Sequence, residues 1–371
     1  MTTLSRVADS VTKGGRQKMQ EVWWKQVTKA NIFVRDITSE LLNEHSVVLC
    51  TSDHIPWPET LRDLIMDAVR TANFDRTIRV IDGDEAGDDP GAFLLANYCQ
   101  SEYRSKYRPG KGGYAKFLAD SEGSTLSGVY LWIRPKNPAQ LKAWNNFIGD
   151  YLGYLNEKIG GVFLLETQNE ADIIKKRNMY VYAYDKVIGS FDGFVFTMLL
   201  AAEFGSTVYG KQYLAELASQ IAGEDIELSA ELVRQGEAFL YDPANVYKQT
   251  IAENGSCFPA KSTEEIEQYV WATQIKLVFP LIEDFRRKLI KRRRSFVEKS
   301  LPHPDTAGHM IYDPKEVEVG MLNFLASKDQ WPLTYDEWEQ LKLHHGARNI
   351  LAHMGTLSPE EIMNVFKAHG E

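Results

Sequence analysis

Residues 129–165, VYLWIRPKNPAQLKAWNNFIGDYLGYLNEKIGGVFLL, decide the fold class of the first half of the chain. Two short runs of β-branched and aromatic residues, 129–133 and 162–165, flank a segment from Pro138 to Leu155 whose apolar residues have helical spacing. A strand, a helix and a second strand in this order predict parallel strands joined by a crossover helix. Strands that are apolar almost throughout are typical of a sheet covered on both faces.

The same alternation extends outward from this unit. Apolar runs at 47–50, 78–81 and 180–184 predict three more strands, and Pro58 to Val69 predicts another helix. We therefore expect an α/β domain with a mostly parallel sheet at residues 46–190. Residues 1–45 are predicted to be a helical lead-in, with apolar positions at Val22, Trp23, Val27, Ile32 and Phe33.

The second half of the chain has the spacing of helices only. We expect a helical extension at residues 191–260, and a boundary near 252–262, where Gly255, Ser256 and Pro259 interrupt the pattern. An all-α domain is predicted for residues 261–371, with helices over 263–300, 314–327, 335–354 and 358–368. Hydroxyl residues followed by glutamates at Thr263 and Ser358 are typical helix N-termini.

Composition limits the class of protein. The chain has 371 residues, 44% hydrophobic and 25% charged, which is ordinary for globular domains and excludes disorder and rods. It contains no apolar stretch of membrane-spanning length, and its start, MTTLSRVADSVTKGG, lacks the apolar core of a secretory signal. Cys50, Cys99 and Cys257 fit neither a disulfide framework nor a zinc site. We therefore expect a cytoplasmic protein with no membrane partner, no metal and no cofactor. The net charge of −9 argues against general coating of nucleic acid, but it allows a local basic patch.

The most informative motif is GARNILAHM at residues 346–354, late in the helical half. Arg348, Asn349 and His353 resemble the RNxxxH form of the HEPN motif. The surrounding segments are also similar to a bacterial HEPN-like subfamily, at 271–274 and 279–286 for its long first helix and at 313–322 for its middle part. The resemblance covers residues 263–371. It implies an all-α HEPN-like bundle, a metal-independent endoribonuclease of a toxin or anti-phage system, and a homodimer that pairs two motifs.

These residue types also suit RNA cleavage on physical grounds. Asn349 and His353 share a helix face, and Arg348 lies about 140° around the helix from His353 at 3.6 residues per turn. We therefore expect Asn349 to brace the imidazole of His353. Histidine can move protons between the 2′-hydroxyl and the leaving group, and arginine can stabilise the charged transition state. The alternative is a non-enzymatic subunit of a defence or regulatory complex that uses the bundle for dimerisation or partner binding.

A basic run lies in the same half of the chain. Seven cations in nine residues could neutralise several phosphates of RNA. The alternative is a solvated helix face. The cations are Arg286, Arg287, Lys288, Lys291, Arg292, Arg293 and Arg294.

Two further strings in the α/β domain suggest other chemistry. DGDEAG at 82–87 resembles the acidic string of Toprim domains, which would hold magnesium through Asp82 and Asp84, but residues 51–54 lack the Glu-Gly turn that this site needs. The segment after the first strand, 51–57, has no glycine or lysine to cradle phosphates, and the string at 110–113 that contains Lys111 lacks a following Ser or Thr. If the domain descends from a P-loop fold, it has lost the nucleotide machinery, and we expect no ATP hydrolysis.

Overall fold

The structure is a computed structural model, and it describes residues 18–52, 55–156, 158–168, 173, 179–256, 258–305 and 307–369. Two compact units divide the chain, residues 1–192 and residues 193–371. Residues 1–17 of the predicted helical lead-in and Cys257 lie outside the described residues. Among the residues that are described, no helix is both long enough and apolar enough to cross a bilayer.

The first unit alternates strands with helices, as the sequence predicts. Its helices are α1 (Thr28–Leu42), α2 (Pro58–Ala72), α3 (Gly83–Ala86), α4 (Pro90–Tyr98), α5 (Ser101–Arg104), α6 (Gly113–Asp120), α7 (Pro138–Tyr154) and α8 (Tyr184–Val187). Its strands are β1 (Ser46–Cys50), β2 (Thr77–Asp82), β3 (Val129–Arg134), β4 (Val162–Thr167) and β5 (Met179–Ala183). A π-helical turn, Val22–Gln26, precedes α1, and a 3-10 turn, Leu126–Gly128, precedes β3. The prediction that Tyr184 ends a strand is wrong, since it begins α8.

The five strands form one parallel sheet in the order β2-β3-β4-β1-β5. Alternate strand residues face opposite sides of a sheet. On one side Val48, Leu131 and Phe163 join a buried cluster with α4, α6 and α7, and on the other side α1 lies against β1, β4 and β5. The sheet is therefore covered on both faces, which confirms the parallel α/β prediction. All five strands end at the same edge.

Local capping explains where two of the covering helices begin. The side chain of Asn137 accepts a hydrogen bond from the N–H of Gln140 (2.9 Å), and Pro138 occupies the first turn of α7, where a missing N–H costs nothing. The carboxylate of Asp89 accepts from the N–H of Ala92 (3.0 Å) at the start of α4. Both helices follow the carboxyl edge of the sheet and so start close to it.

The second unit is helical apart from one short antiparallel pair, β6 (His303–Pro304) with β7 (Met310–Ile311). Its helices are α9 (Ser190–Ala201), α10 (Val208–Ala222), α11 (Ile226–Gln235), α12 (Glu237–Tyr241), α13 (Pro243–Asn254), α14 (Thr263–Arg292), α15 (Arg294–Lys299), α16 (Val319–Lys328), α17 (Tyr335–Ala352) and α18 (Pro359–Lys367). The predicted helix over 263–300 is interrupted at Arg293, which has a non-helical ψ of 25°. The segment predicted as a helix from 314 begins with a 3-10 turn, Pro314–Glu316, before α16.

The helical extension and the C-terminal helices share one hydrophobic core. Leu214, Leu217 and Ile221 of α10 are fully buried in the same cluster as Val278 of α14 and Phe366 of α18. A helix that is apolar on most of its faces is buried on most of them. Residues 193–260 and 261–371 therefore lie in one compact unit, where the sequence suggested two segments.

Candidate functional site

The predicted catalytic motif lies at the C-terminal end of α17. This helix starts at a capping box, in which the hydroxyl of Thr334 accepts from the N–H of Glu337 and the carboxylate of Glu337 accepts from the N–H of Thr334. It ends at Ala352. His353 is the first residue beyond it and is exposed, with its N–H still 3.2 Å from the carbonyl oxygen of Asn349. Arg348 and Asn349 are therefore helical, whereas His353 lies past the helix end.

Arg348 forms an ion pair with the residue that precedes α16. Its Nη2 lies 2.8 Å from Oε2 of Glu318, and the two side chains are 35% and 69% exposed. Surface pairs of this kind contribute about 0–1 kcal/mol, because water competes for both charges. A phosphate could therefore replace the carboxylate at little cost.

Asn349 pairs with a different histidine from the one expected. Its Nδ2 lies 2.9 Å from Nε2 of His345, one turn earlier on the same face of α17. The prediction that Asn349 braces His353 is wrong, because His353 lies beyond the last helical residue. His345 has room because α16 carries Gly320 there: a Cβ at Gly320 would come within 3.3 Å of the ring. The sequence analysis missed His345 as part of this group, although the i, i+4 spacing from Asn349 is a signal for it.

The histidine that precedes His345 lies in the interior of the helical unit. His344 is fully buried, and its ring stacks on Phe285 with centroids 4.1 Å apart and planes 6° from parallel. Its Nδ1 donates to the carbonyl oxygen of Gln340 (2.6 Å), and its Nε2 lies 2.8 Å from Nε2 of His369. Burial lowers the pKa of His344 to about 4, so this side chain is neutral at pH 7.

The basic run on α14 and α15 is largely neutralised by acids of the same unit. Arg286 donates to Glu283 and to the carbonyl oxygens of Lys315 and Val317, and so braces a loop. The other pairs join Arg287 and Lys288 to Asp284, Arg292 and Arg293 to Glu337, and Arg294 to Glu298. Within the described part of the chain, Lys291 alone of the seven has no acidic partner. Four of the paired cations, Arg287, Lys288, Arg292 and Arg294, are more than half exposed, so phosphates could compete with these acids as they could at Arg348.

A cavity of about 660 Å³ lies at the carboxyl edge of the sheet in the first unit. Open parallel sheets bind ligands at this edge. Its floor is an ion pair that the sequence analysis missed: the guanidinium of Arg62 donates to both oxygens of Glu166, at 3.1 and 2.6 Å, and both side chains are almost fully buried. Trp132 Nε1 also donates to Glu166 (2.9 Å). Arg62 and Glu166 are 104 positions apart in the sequence, so no local pattern could reveal the pair.

Asp82, Gly83 and Asp84 of the acidic string line the same cavity, but both carboxylates face cations. Asp82 lies 3.2 Å from Arg134, and Asp84 lies 2.8 Å from Lys136, which lowers the pKa of Asp84. The side chain of Gln140 donates to the carbonyl oxygens of Gly83 and Gly87 and fixes the loop. In the described part of the chain, no three carboxylate, histidine or cysteine side chains are grouped to hold a metal ion. The carboxylates of Asp82 and Asp84 are instead used in ion pairs with Arg134 and Lys136.

The cavity has the position of a phosphate site without its usual residues. Thr51 and Ser52 follow β1, residues 53 and 54 lie outside the described residues, and α2 begins at Pro58. Lys111 lies in a turn before α6 and does not line the cavity. The described residues therefore contain no glycine-rich loop between β1 and α2.

Comparisons with known proteins give no family for this chain. No protein-family model matches it, and no curated protein does. Among solved structures, it is similar to a variant of RuvB from Thermotoga maritima, with 11% identity, a TM-score of 0.34, and coverage of 85% of this chain and 96% of that one. It is also similar to the ORC2 protein of Aeropyrum pernix, solved in complexes with ADPNP and ADP, with 13% identity, a TM-score of 0.26, and coverage of 92% and 93%. TM-scores this low carry no information on what this chain binds or does.

Proposed function

We propose that the helical unit is a metal-independent endoribonuclease of the HEPN type, in a toxin or anti-phage system, and that the α/β unit is its sensor or docking module. The observation that carries the proposal is the accessibility of the motif at the end of α17. Among the described residues, Arg348 pairs only with Glu318 at the surface, and His353 is exposed. The buried histidine of this helix, His344, is the one outside the motif.

The chemistry needs few groups, because RNA carries its own nucleophile. The 2′-hydroxyl attacks the adjacent phosphorus and loses its proton, and the bond to the 5′-oxygen breaks as that oxygen takes up a proton. The products are a 2′,3′-cyclic phosphate and a 5′-hydroxyl. His353 is proposed to carry the proton, and Arg348 to stabilise the charge on the phosphorane-like transition state after leaving Glu318.

Asn349 has a positioning role in this scheme. It holds the ring of His345, which is three residues before Arg348 and on the same side of α17. A homodimer that brings two copies of this group together would supply a full set of proton carriers and cations. The proposed dimer contact is in the helical unit.

A second candidate function is favoured by the neutralised basic run. If the charges at 286–294 serve mainly the internal ion pairs described above, the bundle would act by dimerisation or partner binding in a defence or regulatory complex. RNA cleavage would then be absent although the fold is intact.

Cleavage of single-stranded RNA by the full chain, in the presence of EDTA, tests the proposal. Cleavage should persist in EDTA and fall by roughly 10²–10⁴-fold in His353→Ala, the usual size of general acid–base assistance. Arg348→Ala should also abolish it. The matched control is His309→Ala, another exposed histidine, which is paired only with Asp305 at 3.5 Å. This variant should cleave like the wild type.

The products and the substrate range separate the alternatives. RNA fragments should end in a 2′,3′-cyclic phosphate, and DNA should not be cut, because it lacks the attacking hydroxyl. An activity that EDTA removes, or that cuts DNA equally well, would contradict the mechanism and direct attention to Asp82 and Asp84. In a host cell, expression of the wild type should arrest growth and His353→Ala should relieve the arrest. A folded protein that cleaves no RNA would favour the second candidate.

A further inference from the structure

Residues 101–116, SEYRSKYRPGKGGYAK, form a second basic segment, in the first unit, which we call the basic loop. It includes α5 and the start of α6. Its five cations are Arg104, Lys106, Arg108, Lys111 and Lys116, against a single acid, Glu102. All five cations are exposed. The density of positive charge is high for a chain whose net charge is −9.

The cations of the basic loop are not neutralised. Within the residues that the structure describes, none of the five has a carboxylate within ion-pair distance. Arg104 donates to the carbonyl oxygen of Cys99 (2.7 Å), and Arg108 donates to the carbonyl oxygens of Ser105 and Tyr107 (2.7 Å each). Bonds to neutral carbonyls order these side chains and leave their charge available. The run at 286–294 differs in this respect, because acids pair with six of its seven cations.

Three tyrosines alternate with these cations along the sequence, and their rings pack closely against neighbouring residues. Tyr107 stacks on Tyr114, with centroids 4.4 Å apart and planes 15° from parallel. Tyr114 in turn lies against Gly91 of α4, where a Cβ would come within 2.5 Å of its ring. Tyr103 is seated on Gly123 in the same way, and Lys106 Nζ lies 4.1 Å from its ring centroid. Each of these tyrosines is only partly buried.

We propose that the basic loop binds single-stranded nucleic acid, with its cations on the phosphates and the ring of Tyr107, supported by Tyr114, stacked on a base. Exposed cations interleaved with rigid, half-exposed rings are the two features that sequence-independent binding of single strands requires. Lys111 lies in a turn closed by a hydrogen bond from the N–H of Gly113 to the carbonyl oxygen of Gly110 (3.0 Å), and Gly112 takes the positive φ of 94° that this turn needs. RNA as the natural form of the ligand rests on the proposed function, whereas the binding itself does not.

Acidic groups nearby limit where the strand can run. Asp88, Asp89 and Asp150 line a cavity of about 460 Å³ that also borders Tyr114 and Gly112. These carboxylates repel phosphates, and Asp89 is already used as the cap of α4. The strand is therefore expected along the side of the loop that carries residues 103–111, outside this cavity.

Binding of a labelled 20-nucleotide single-stranded RNA, followed by fluorescence anisotropy between 50 and 300 mM salt, tests the inference. The protein is the full chain with His353→Ala, so that cleavage cannot consume the probe. Removal of three cations together (Lys106→Ala, Arg108→Ala and Lys111→Ala) should reduce the slope of log affinity against log salt by about 2, at roughly 0.7 per lost phosphate contact. A control with the same change of charge elsewhere in the unit, Lys25→Ala with Lys29→Ala and Arg35→Ala, should keep the slope.

The tyrosine variants test stacking separately from charge. Tyr107→Ala should weaken binding by about tenfold with an unchanged salt slope, and Tyr107→Phe, which keeps the ring, should bind like the parent. Single-stranded DNA should bind comparably, and duplex DNA much more weakly, because its bases are not free to stack. No binding at 50 mM salt, an unchanged slope in the triple variant, or equal binding of duplex would overturn the inference. Binding without RNA cleavage by the wild type would remove only the proposed function, and cleavage without binding at this loop would remove only the inference.

Discussion

The buried histidine of α17 makes the stability of the helical unit depend on pH. His344 stacks on Phe285 and bonds to Gln340 and His369 in a site that excludes water. The pKa of His344 is lowered from 6.5 to about 4, mainly because burial disfavours the charged ring. Burial lowers the pKa of His369 as well, although Asp284 opposes that shift.

The direction of the effect follows from which state binds the proton first. As the pH falls below 6.5, the unfolded chain protonates His344 while the folded chain does not, so the free energy of unfolding decreases. The contribution of the neutral His344 ring to the free energy of unfolding is complete above pH 6.5, and it is lost as the pH falls from 6.5 toward 4. The pKa of His344 falls from 6.5 in the unfolded chain to about 4 in the folded chain. At 1.36 kcal/mol per pKa unit, this difference lowers the free energy of unfolding by about 3 kcal/mol at low pH, a large part of the stability of a typical domain.

The variant His344→Phe removes the titrating group and keeps a ring on Phe285. At pH 7 it should be less stable by about 1–2 kcal/mol, because His369 loses a buried hydrogen-bond partner. At pH 4.5 the wild type has lost roughly 2–3 kcal/mol through His344, so the difference should vanish or change sign. The control His309→Phe alters an exposed histidine and should follow the wild type at both pH values.

Amide hydrogen exchange of α17 at the two pH values, corrected for intrinsic exchange, measures the free energy of local opening in this helix. It reports on the helical unit alone, which matters because two units need not unfold together. A difference between wild type and His344→Phe that is the same at pH 7 and pH 4.5 would refute the reasoning. So would an NMR titration that places the pKa of the His344 ring near 6.5.

Three other predictions concern the ion pair at the sheet edge, assembly and nucleotide turnover. Arg62→Ala should destabilise the first unit by about 3 kcal/mol in thermal unfolding, because Glu166 would stay buried with only Trp132 and, at 4.0 Å, Arg134 as partners, and adding Glu166→Gln should recover part of the loss. Light scattering on the full chain at tens of micromolar should show self-association, and a clean monomer would contradict the proposed pairing of two motifs. ATP turnover should stay at background, whereas turnover that Lys111→Ala removes would show that the chain has a phosphate site after all.

The strands and most helices of this protein are fixed by local patterns in the sequence. The apolar runs at 47–50, 78–81, 129–133 and 162–165 lie within β1 to β4, and Pro138 marks the start of α7. These patterns are visible because the inner strands β1, β3 and β4 are buried and apolar on both faces, and because a helix must cap its first turn. The structure therefore confirms the parallel sheet and the helical second half that the sequence predicts. The extent of the second unit was not predicted, because α10 is buried against α14 and α18, which begin more than forty residues further along the chain.

The candidate sites depend on contacts that no local pattern records. The sequence supplied the motif at Arg348, Asn349 and His353 and the i, i+4 spacing of His345 and Asn349, but only the fold places Arg348 against Glu318. In the basic run at 286–294, four of the six paired cations meet acids three or four residues away, a spacing that the sequence already contains, and only the fold brings Glu337 to Arg292 and Arg293. Ion pairs join side chains that lie far apart along the chain, as Arg62 and Glu166 do, so charge availability is decided by tertiary structure. Secondary structure is decided mainly by neighbours within a few residues, which is why the sequence alone was enough for it.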